Sequence, residues 1–339
     1  MRKEDMTRSL QTEAFVVTGG AGAIGSRLVR RLLDGGAKHV VVVDDLTSGY
    51  RWLVPDDVRV EFRQQDVAEL ASSGPRLDSA TVFHLAAFFA NQNSVDHPLE
   101  DLHTNGQGTL AALLWARANQ AGAFVYASAG CSIAGHGVDA PIREDMPVSL
   151  HLDTPYQITK ALGEFYCNYF QASLTTVRCR FFNSYGPGEV PGAYRNVIPN
   201  FIWRALRDEP LIITGTGDET RDFIYVDDLA EGLVRAATSP AASGLAINLG
   251  TGIQTRILDL ARMVIETCGS RSEIRFAERR AWDKSTHRQA DISLAGKTLG
   301  FQPTVSVSEG VRRTVAWFRE NFEQIERETA VRQGLGVGA

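Results

Sequence analysis

The chain begins with a dozen polar, aperiodic residues, and its first apolar run, Ala14-Phe-Val-Val-Thr18, leads straight into Gly19-Gly-Ala-Gly-Ala-Ile-Gly25. A short β-branched and aromatic run that ends on glycines reads as a buried strand entering a tight turn. From Ile24 the apolar positions Leu28, Val29, Leu32 and Leu33 recur at helical spacing until Gly35-Gly36, and His39-Val-Val-Val-Val-Asp44 follows as a second strand. Together these pieces form one βαβ unit. Runs at 58–62, 81–86, 124–127 and 176–182 predict further strands, with helices over about 96–121 and 154–173. Alternation of this kind predicts an α/β protein whose parallel sheet is covered on both faces. After Asn183 the pattern loosens around Gly186-Pro-Gly188, Pro191-Gly192 and Thr214-Gly-Thr-Gly217, which predicts a smaller, loop-rich lobe. Helical periodicity returns at 226–238, 255–267 and 307–322, the last with Val307, Val311, Val315, Phe318 and Phe322 on one face. The expected organisation is a first domain over 1–183, a second lobe over 184–322 with the chain crossing back near 221–250, and a flexible tail over 323–339.

Composition narrows the function classes. The 339 residues amount to two domain lengths of about 150 each. With 44% hydrophobic and 22% charged residues, disordered and fibrous classes are excluded. No stretch approaches the ~18 apolar residues of a membrane span, and Met1-Arg-Lys-Glu-Asp has no apolar signal core behind it. Four cysteines, at 131, 167, 179 and 268, show neither metal-ligand spacing nor disulfide density, so a reducing cytoplasm is the expected home. A net charge of −5 offers no global attraction to nucleic acid or anionic lipid. Neither partner is expected, and an anionic ligand must be held by locally placed arginines.

Three motifs carry chemistry. Gly19, Gly22 and Gly25 sit between a strand and a helix, where absent side chains let the backbone approach a pyrophosphate. The first helical residues, Ala23 and Ile24 among them, offer free N–H groups and a partial positive charge. Asp44 ends the second strand nineteen positions after Gly25, where a carboxylate accepts both ribose hydroxyls of an adenosine and repels a 2′-phosphate. NAD is thus favoured over NADP. Asp66, beside Val67 after the third strand, is placed to cap the adenine amino group or to serve a surface turn. At Tyr156-Gln-Ile-Thr-Lys160 the spacing puts a phenol and an ammonium on one helix face, with Pro155 suited to the first turn. A neighbouring Lys⁺ and the positive nicotinamide ring of NAD⁺ favour the phenolate, which a general base requires.

Over about residues 14–322 the sequence resembles the extended short-chain dehydrogenase/reductases, in their NAD-dependent nucleotide-sugar epimerase/dehydratase branch. The matching pieces are T-G-G-A-G-A-I-G, Asp44, His84-Leu-Ala86-Ala87, Asn105 in T-N-G-Q-G-T-L, Y-x-x-x-K, Arg180-Phe-Phe-Asn-Ser-Tyr-Gly-Pro187, Asn196-Val-Ile-Pro199 and Arg221-Asp-Phe-Ile-Tyr-Val-Asp-Asp228. The resemblance implies a Rossmann-like doubly wound sheet and a small C-terminal α/β lobe closing over a nucleoside diphosphate sugar. It also implies a homodimer built through the helices near 96–121 and 154–173. By the same resemblance Tyr156 is the catalytic base and Lys160 orients the nicotinamide ribose, while Ala86, Ala87 and Asn105 belong to the cofactor side. Asn183 and Asn196 hold the nucleotide or phosphates, Arg221 and Arg280 clamp the diphosphate, and Asp283 serves a ribose or an arginine. Planar bidentate guanidinium forks suit a doubly anionic diphosphate.

The third catalytic position departs from the branch. Relatives carry Ser-Ser or Ser-Thr after the fifth strand, whereas this chain reads Tyr126-Ala-Ser-Ala-Gly-Cys-Ser-Ile-Ala-Gly135, with one residue inserted. Counting from the strand favours Ser128, and counting back from Tyr156 favours Cys131 with Ser132 next. The Asp-Glu pair of the 4,6-dehydratases and the Glu of the uronic-acid decarboxylases are both missing from this turn. The expected activity is therefore epimerisation at C4 through a 4-keto sugar, with tightly bound NAD. Dehydration or decarboxylation in the same family is the alternative, and a non-catalytic NAD-binding regulator is the alternative of another class. His84 is expected to be structural. The remaining histidines, including His97, His103, His136, His151 and His287, lack metal-ligand spacing, so no metal is expected.

Overall fold

The structure, a computed structural model, describes residues 14–135 and 141–334. His136 and the last five residues of the expected tail lie outside the described residues. In chain order the strands are β1 (Ala14–Thr18), β2 (His39–Asp44), β3 (Val60–Gln64), β4 (Thr81–His84), β5 (Ala123–Ala129), β6 (Thr176–Phe181), β7 (Asn183–Tyr185), β8 (Leu211–Thr214), β9 (Thr220–Tyr225), β10 (Ala246–Leu249), β11 (Gln254–Arg256) and β12 (Ile274–Ala277). The longer helices are α1 (Ala23–Asp34), α2 (Thr109–Ala118), α3 (Pro155–Phe170), α4 (Val197–Ala205), α5 (Val226–Thr238), α6 (Ile257–Cys268), α7 (Val307–Glu320) and α8 (Phe322–Gly334).

Seven strands form one sheet in the order β10-β6-β5-β4-β1-β2-β3, every neighbouring pair parallel. This is the doubly wound Rossmann-like sheet, and the strand order reverses between β1 and β4, where such sheets open a ligand crevice. Four consecutive valines, Val40 to Val43, make β2 a strand buried on both faces. Each contributes about 1.5–3 kcal/mol by burial. On α1, Leu28, Val29, Leu32 and Leu33 face the sheet. Its outer side is bound to α5 by the ion pairs Arg27–Asp227 at 2.7 Å and Arg31–Glu231 at 2.9 Å.

The smaller lobe holds a three-stranded sheet, β11-β9-β7, and the parallel pair β12-β8. Its own core gathers Tyr185, Ile198, Phe201, Phe223, Leu260, Val311 and Phe318. Beyond that lobe's first strands, β10 joins the edge of the large sheet beside β6.

Three expectations needed correction. The helix over 96–121 is broken into Pro98–Asp101, a wider π turn over Leu102–Gly108, and α2. A Cβ on Gly108 would come 2.5 Å from Val67, so the chain needs glycine where this turn lies against the third-strand loop. The strand expected from Val58 starts at Val60, and Val58 is exposed. The tail from 323 is not loose as far as Gly334, since α8 buries Ile325 in the lobe core and Phe322 stacks on Trp203 at 4.9 Å. Two apolar anchors in a charged stretch give too thin a periodicity to read as a packed helix.

Candidate active site

At the cofactor end the backbone does most of the construction. Gly19 turns with φ +70°, and a Cβ there would meet Ala86 N at 2.6 Å. A Cβ on Gly25 would lie 2.1 Å from the Gly19 carbonyl oxygen, so only glycine lets the helix begin this close to the strand. Gly22 caps α1 in extended geometry with no side-chain cap, which leaves the first-turn N–H groups of Ala23, Ile24 and Gly25 facing the cleft. Asp44 is fixed by two backbone amides, Ala21 N and Leu46 N, each donating to one carboxylate oxygen at 2.9 Å. Val67, Ala86 and Ala87 complete this wall. A glycine cradle, unsatisfied helix amides and an oriented carboxylate fit an adenine dinucleotide.

Two other residues assigned to this end are used differently. Asn105 does not line the cleft. Its Oδ1 accepts from Phe88 N at 2.9 Å, and its Nδ2 donates to Phe88 O, Asp101 and Thr159. It therefore holds in place the loop that bears the cleft residue Phe88. Asp66 accepts from Ala68 N at 2.8 Å and contacts His103 at 2.7 Å, so its carboxylate caps a local turn while Gln65 and Val67 border the cleft.

The Tyr156–Lys160 pair stands at the start of α3. Thr154 caps that helix, Pro155 occupies its first turn, and Tyr156 N donates to Ser94 Oγ at 3.0 Å. Tyr156 and Lys160 both line the cleft, though each is nearly buried. Lys160 Nζ donates to Ala127 O at 2.9 Å and lies 5.7 Å from the centre of the Tyr156 ring. Burial lowers the Lys160 ammonium to about 8. Burial, with Asp101 and Cys131 adding repulsion, pushes the Tyr156 phenol well up. The expectation that Lys160 makes the phenolate accessible is not met by these side chains alone, because the ammonium is aimed at a carbonyl. His84, buried between Thr18 and Thr109, is pushed down to about 3 and stays neutral.

At the third position β5 runs on to Ala129, and a short helical turn, Gly130–Ile133, follows. Ser128 borders the cleft, but its hydroxyl donates to Glu164 at 2.5 Å, inside the buried Glu164–Arg180 ion pair. That removes Ser128 from the position. Cys131 faces Asn183, with Sγ 3.8 Å from Oδ1, and is near enough to Tyr156 to raise its pKa. Burial pushes the Cys131 thiol itself up to about 12. Ser132 also lines the cleft.

The substrate end is assembled from side chains on loops. Asn196 stands at the start of α4 without capping it through its side chain, whose Nδ2 donates to Glu189 at 2.9 Å. Glu189, unremarked in the sequence, is a buried carboxyl in the cleft wall that burial raises to about 7. Arg221 on β9 pairs with Asp283 at 3.3 Å, and Arg280 faces the cleft beside Trp282. Arg288 also lines this wall, and no motif in the sequence marks it. Two overlapping cavities, of about 1050 Å³ beside Asp44 and Val67 and about 450 Å³ running from the glycine turn past Tyr156 to Arg221, share Gly19, Asp44, Ala87, Arg195 and Arg280, so the cleft is continuous. Among the described residues no cluster of His, Cys, Asp and Glu could hold a metal ion, and no helix is long and apolar enough to cross a membrane.

Comparison with known proteins agrees with this layout. The chain is 35% identical to a UDP-glucose 4-epimerase of Mycolicibacterium smegmatis, over 91% of this chain and 99% of that protein. A UDP-glucuronic acid decarboxylase of Xenopus tropicalis is 32% identical, covering 91% and 73% respectively. The epimerase Mth375 of Methanothermobacter thermautotrophicus superposes with a TM-score of 0.93 at 42% identity, over 96% of this chain and 98% of that one. The Bordetella bronchiseptica enzyme WbmF, solved with NAD+ and UDP, gives 0.84 at 36% identity with the same coverage. Residues 15–250 match the sequence profile shared by the NAD dependent epimerase/dehydratase family, and the chain belongs to that family.

Proposed function

We propose that the protein is a nucleotide-sugar epimerase acting at C4 through a 4-keto sugar. The observation that carries this reading is the Tyr156–Lys160 pair on the cleft floor, facing a β5 turn whose cleft residues are a thiol and a serine and include no carboxylate. Tyr156 takes the proton of the C4 hydroxyl as the C4–H hydride leaves, and returns it once hydride reaches the opposite face. Bound NAD supplies the hydride acceptor and a positive ring that favours the phenolate which burial alone disfavours. Lys160, whose Nζ donates to Ala127 O and lies 5.7 Å from the centre of the Tyr156 ring, would hold the nicotinamide ribose when NAD is bound. Arg221 and Arg280 hold the diphosphate, with Asp283 orienting Arg221, so the sugar ring swings while its anchor stays. Asn183 and Asn196 hold the nucleotide end.

Glu189 favours a second reading, dehydration or decarboxylation, since a carboxyl at about 7 in the cleft wall is able to donate a proton. Incubation with UDP-glucose, UDP-galactose and their uronic acids decides between the two. Epimerisation leaves mass unchanged and inverts C4, while loss of water or CO2 refutes it. We read the assembly as a homodimer, supported by exposed apolar side chains on the expected helices: Leu99, Leu102 and Leu114, and Ile158, Phe165 and Tyr169. Four free cysteines are in keeping with a cytoplasmic setting.

A further inference from the structure

The loop between β7 and α4 belongs to the smaller lobe, yet it lies along the cofactor groove. At one end Gly188, with φ +97°, packs on the first turn of α1, where an added Cβ would come 3.2 Å from Ala23 Cα and 3.5 Å from Ser26 Oγ. At the other end Arg195 reaches across to the large sheet's side of the cleft, and its Nη2 donates to Ser48 O at 2.7 Å. Ser48 stands in the segment that wraps Asp44. There Leu46 N donates to Asp44 Oδ1, and a Cβ on Gly49 would meet that same oxygen at 2.7 Å. Tyr50 N ties the segment back to the glycine turn by donating to Ala21 O at 2.9 Å. The two contacts of the loop therefore bracket the strip from the Asp44 carboxylate to the free amides of α1, the ground that the adenosine and diphosphate of a dinucleotide cover.

Arg195 is braced at its backbone and unpaired at its charge. Asn200 on α4 bonds Gly192 N and Gly192 O at 3.0 Å each and donates to Arg195 O at 3.3 Å, while Arg195 N donates to Gly192 O at 3.1 Å. The guanidinium donates to a neutral carbonyl, and no carboxylate pairs with it among the described residues. Glu189 feels its charge through space but is bonded to Asn196. Half-buried, Arg195 lines both cavities of the cleft. We propose that Arg195 is a dinucleotide-binding residue contributed by the smaller lobe, its remaining guanidinium N–H groups holding a phosphate oxygen of NAD, so that both lobes enclose the cofactor. A planar guanidinium has donors enough to bond a carbonyl and an anion at once. The inference needs NAD as the cofactor and is independent of the sugar chemistry proposed above.

The test follows release of NADH from the loaded protein into excess NAD by NADH fluorescence, with the affinity of the same loaded protein for UDP measured beside it. Arg195→Gln, which keeps donors but loses the charge, is expected to release NADH about tenfold to a hundredfold faster than the wild type and to bind UDP unchanged. Arg195→Lys, which keeps the charge without the fork, should fall between the two. Equal release from the wild type and Arg195→Gln overturns the inference. A loss of UDP affinity as large as the gain in NADH release overturns it too, and assigns the guanidinium to the diphosphate of the substrate. Neither result bears on whether the sugar is inverted at C4.

Discussion

The two ends of the cleft are made of different materials. At the cofactor end the chemistry sits on main chain: three glycines, the first amides of α1, and a carboxylate gripped by Ala21 N and Leu46 N. At the substrate end it sits on side chains from separate loops, Arg221, Arg280, Asp283 and Arg288, with ion pairs and carbonyls holding them. A main-chain site is preorganised by the fold and tolerates little change. A side-chain site is varied one residue at a time, which is how one family comes to act on many sugars.

The comparison breaks if damage at one end spreads to the other. The largest effect is expected from Tyr156→Phe, which keeps ring packing but loses the proton acceptor. Turnover should fall about 10²–10⁴-fold with NAD affinity retained, and near wild-type rates would take Tyr156 out of the mechanism. Arg221→Ala and Arg280→Ala should each weaken UDP-sugar binding about tenfold to a hundredfold and spare NAD. A matching loss of NAD affinity would show that the two ends are not separable.

Glu189 tests the substrate wall through pH. Its ordinary value is 4.5 and its folded value about 7, so the folded protein keeps a proton that the unfolded chain has lost. Stability should therefore fall as pH rises from about 4.5 to 7 and stay low above that. Glu189→Gln should remove the fall and gain about 1–2 kcal/mol at pH 8, with little change near pH 4. Thermal melts across that range check it, and identical pH profiles for the two proteins would refute the shift. The smallest effect is set at the cofactor end: Asp44→Asn should cut the preference for NAD over NADP about tenfold as the repulsion of a 2′-phosphate is removed. Titration of both dinucleotides measures it, and equal binding of NADP by the wild type would free Asp44 of that role.

Legibility in the sequence follows the same division. The glycine turn and the valine run of β2 are local patterns with one structural solution each, and both stood where the sequence placed them. Tyr156 and Lys160 were readable because helical spacing alone puts them on one face. Asn105 was not, because the π turn over Leu102–Gly108 rotates it into the protein rather than toward the cleft. The third catalytic position failed for a similar reason. How far β5 extends past Ser128 is decided by pairing with β6, and Glu164 then claims the hydroxyl. Arg288 gave no signal, since only the tertiary fold brings a single loop arginine against the cleft wall.

The return of β10 to the large sheet also bears on how the protein is made. A nascent chain that has emerged as far as Phe181 already has six strands of that sheet, but the outer edge of β6 waits for Ala246–Leu249. The 68 residues between Phe181 and Leu249 take about 3–14 s to synthesise at ~5–20 residues per second. For that interval the backbone donors and acceptors along Thr176–Phe181 are an unfilled template, open to pairing with another chain. Severing the chain between the lobes would make that interval permanent and leave the outer edge of β6 without its partner strand.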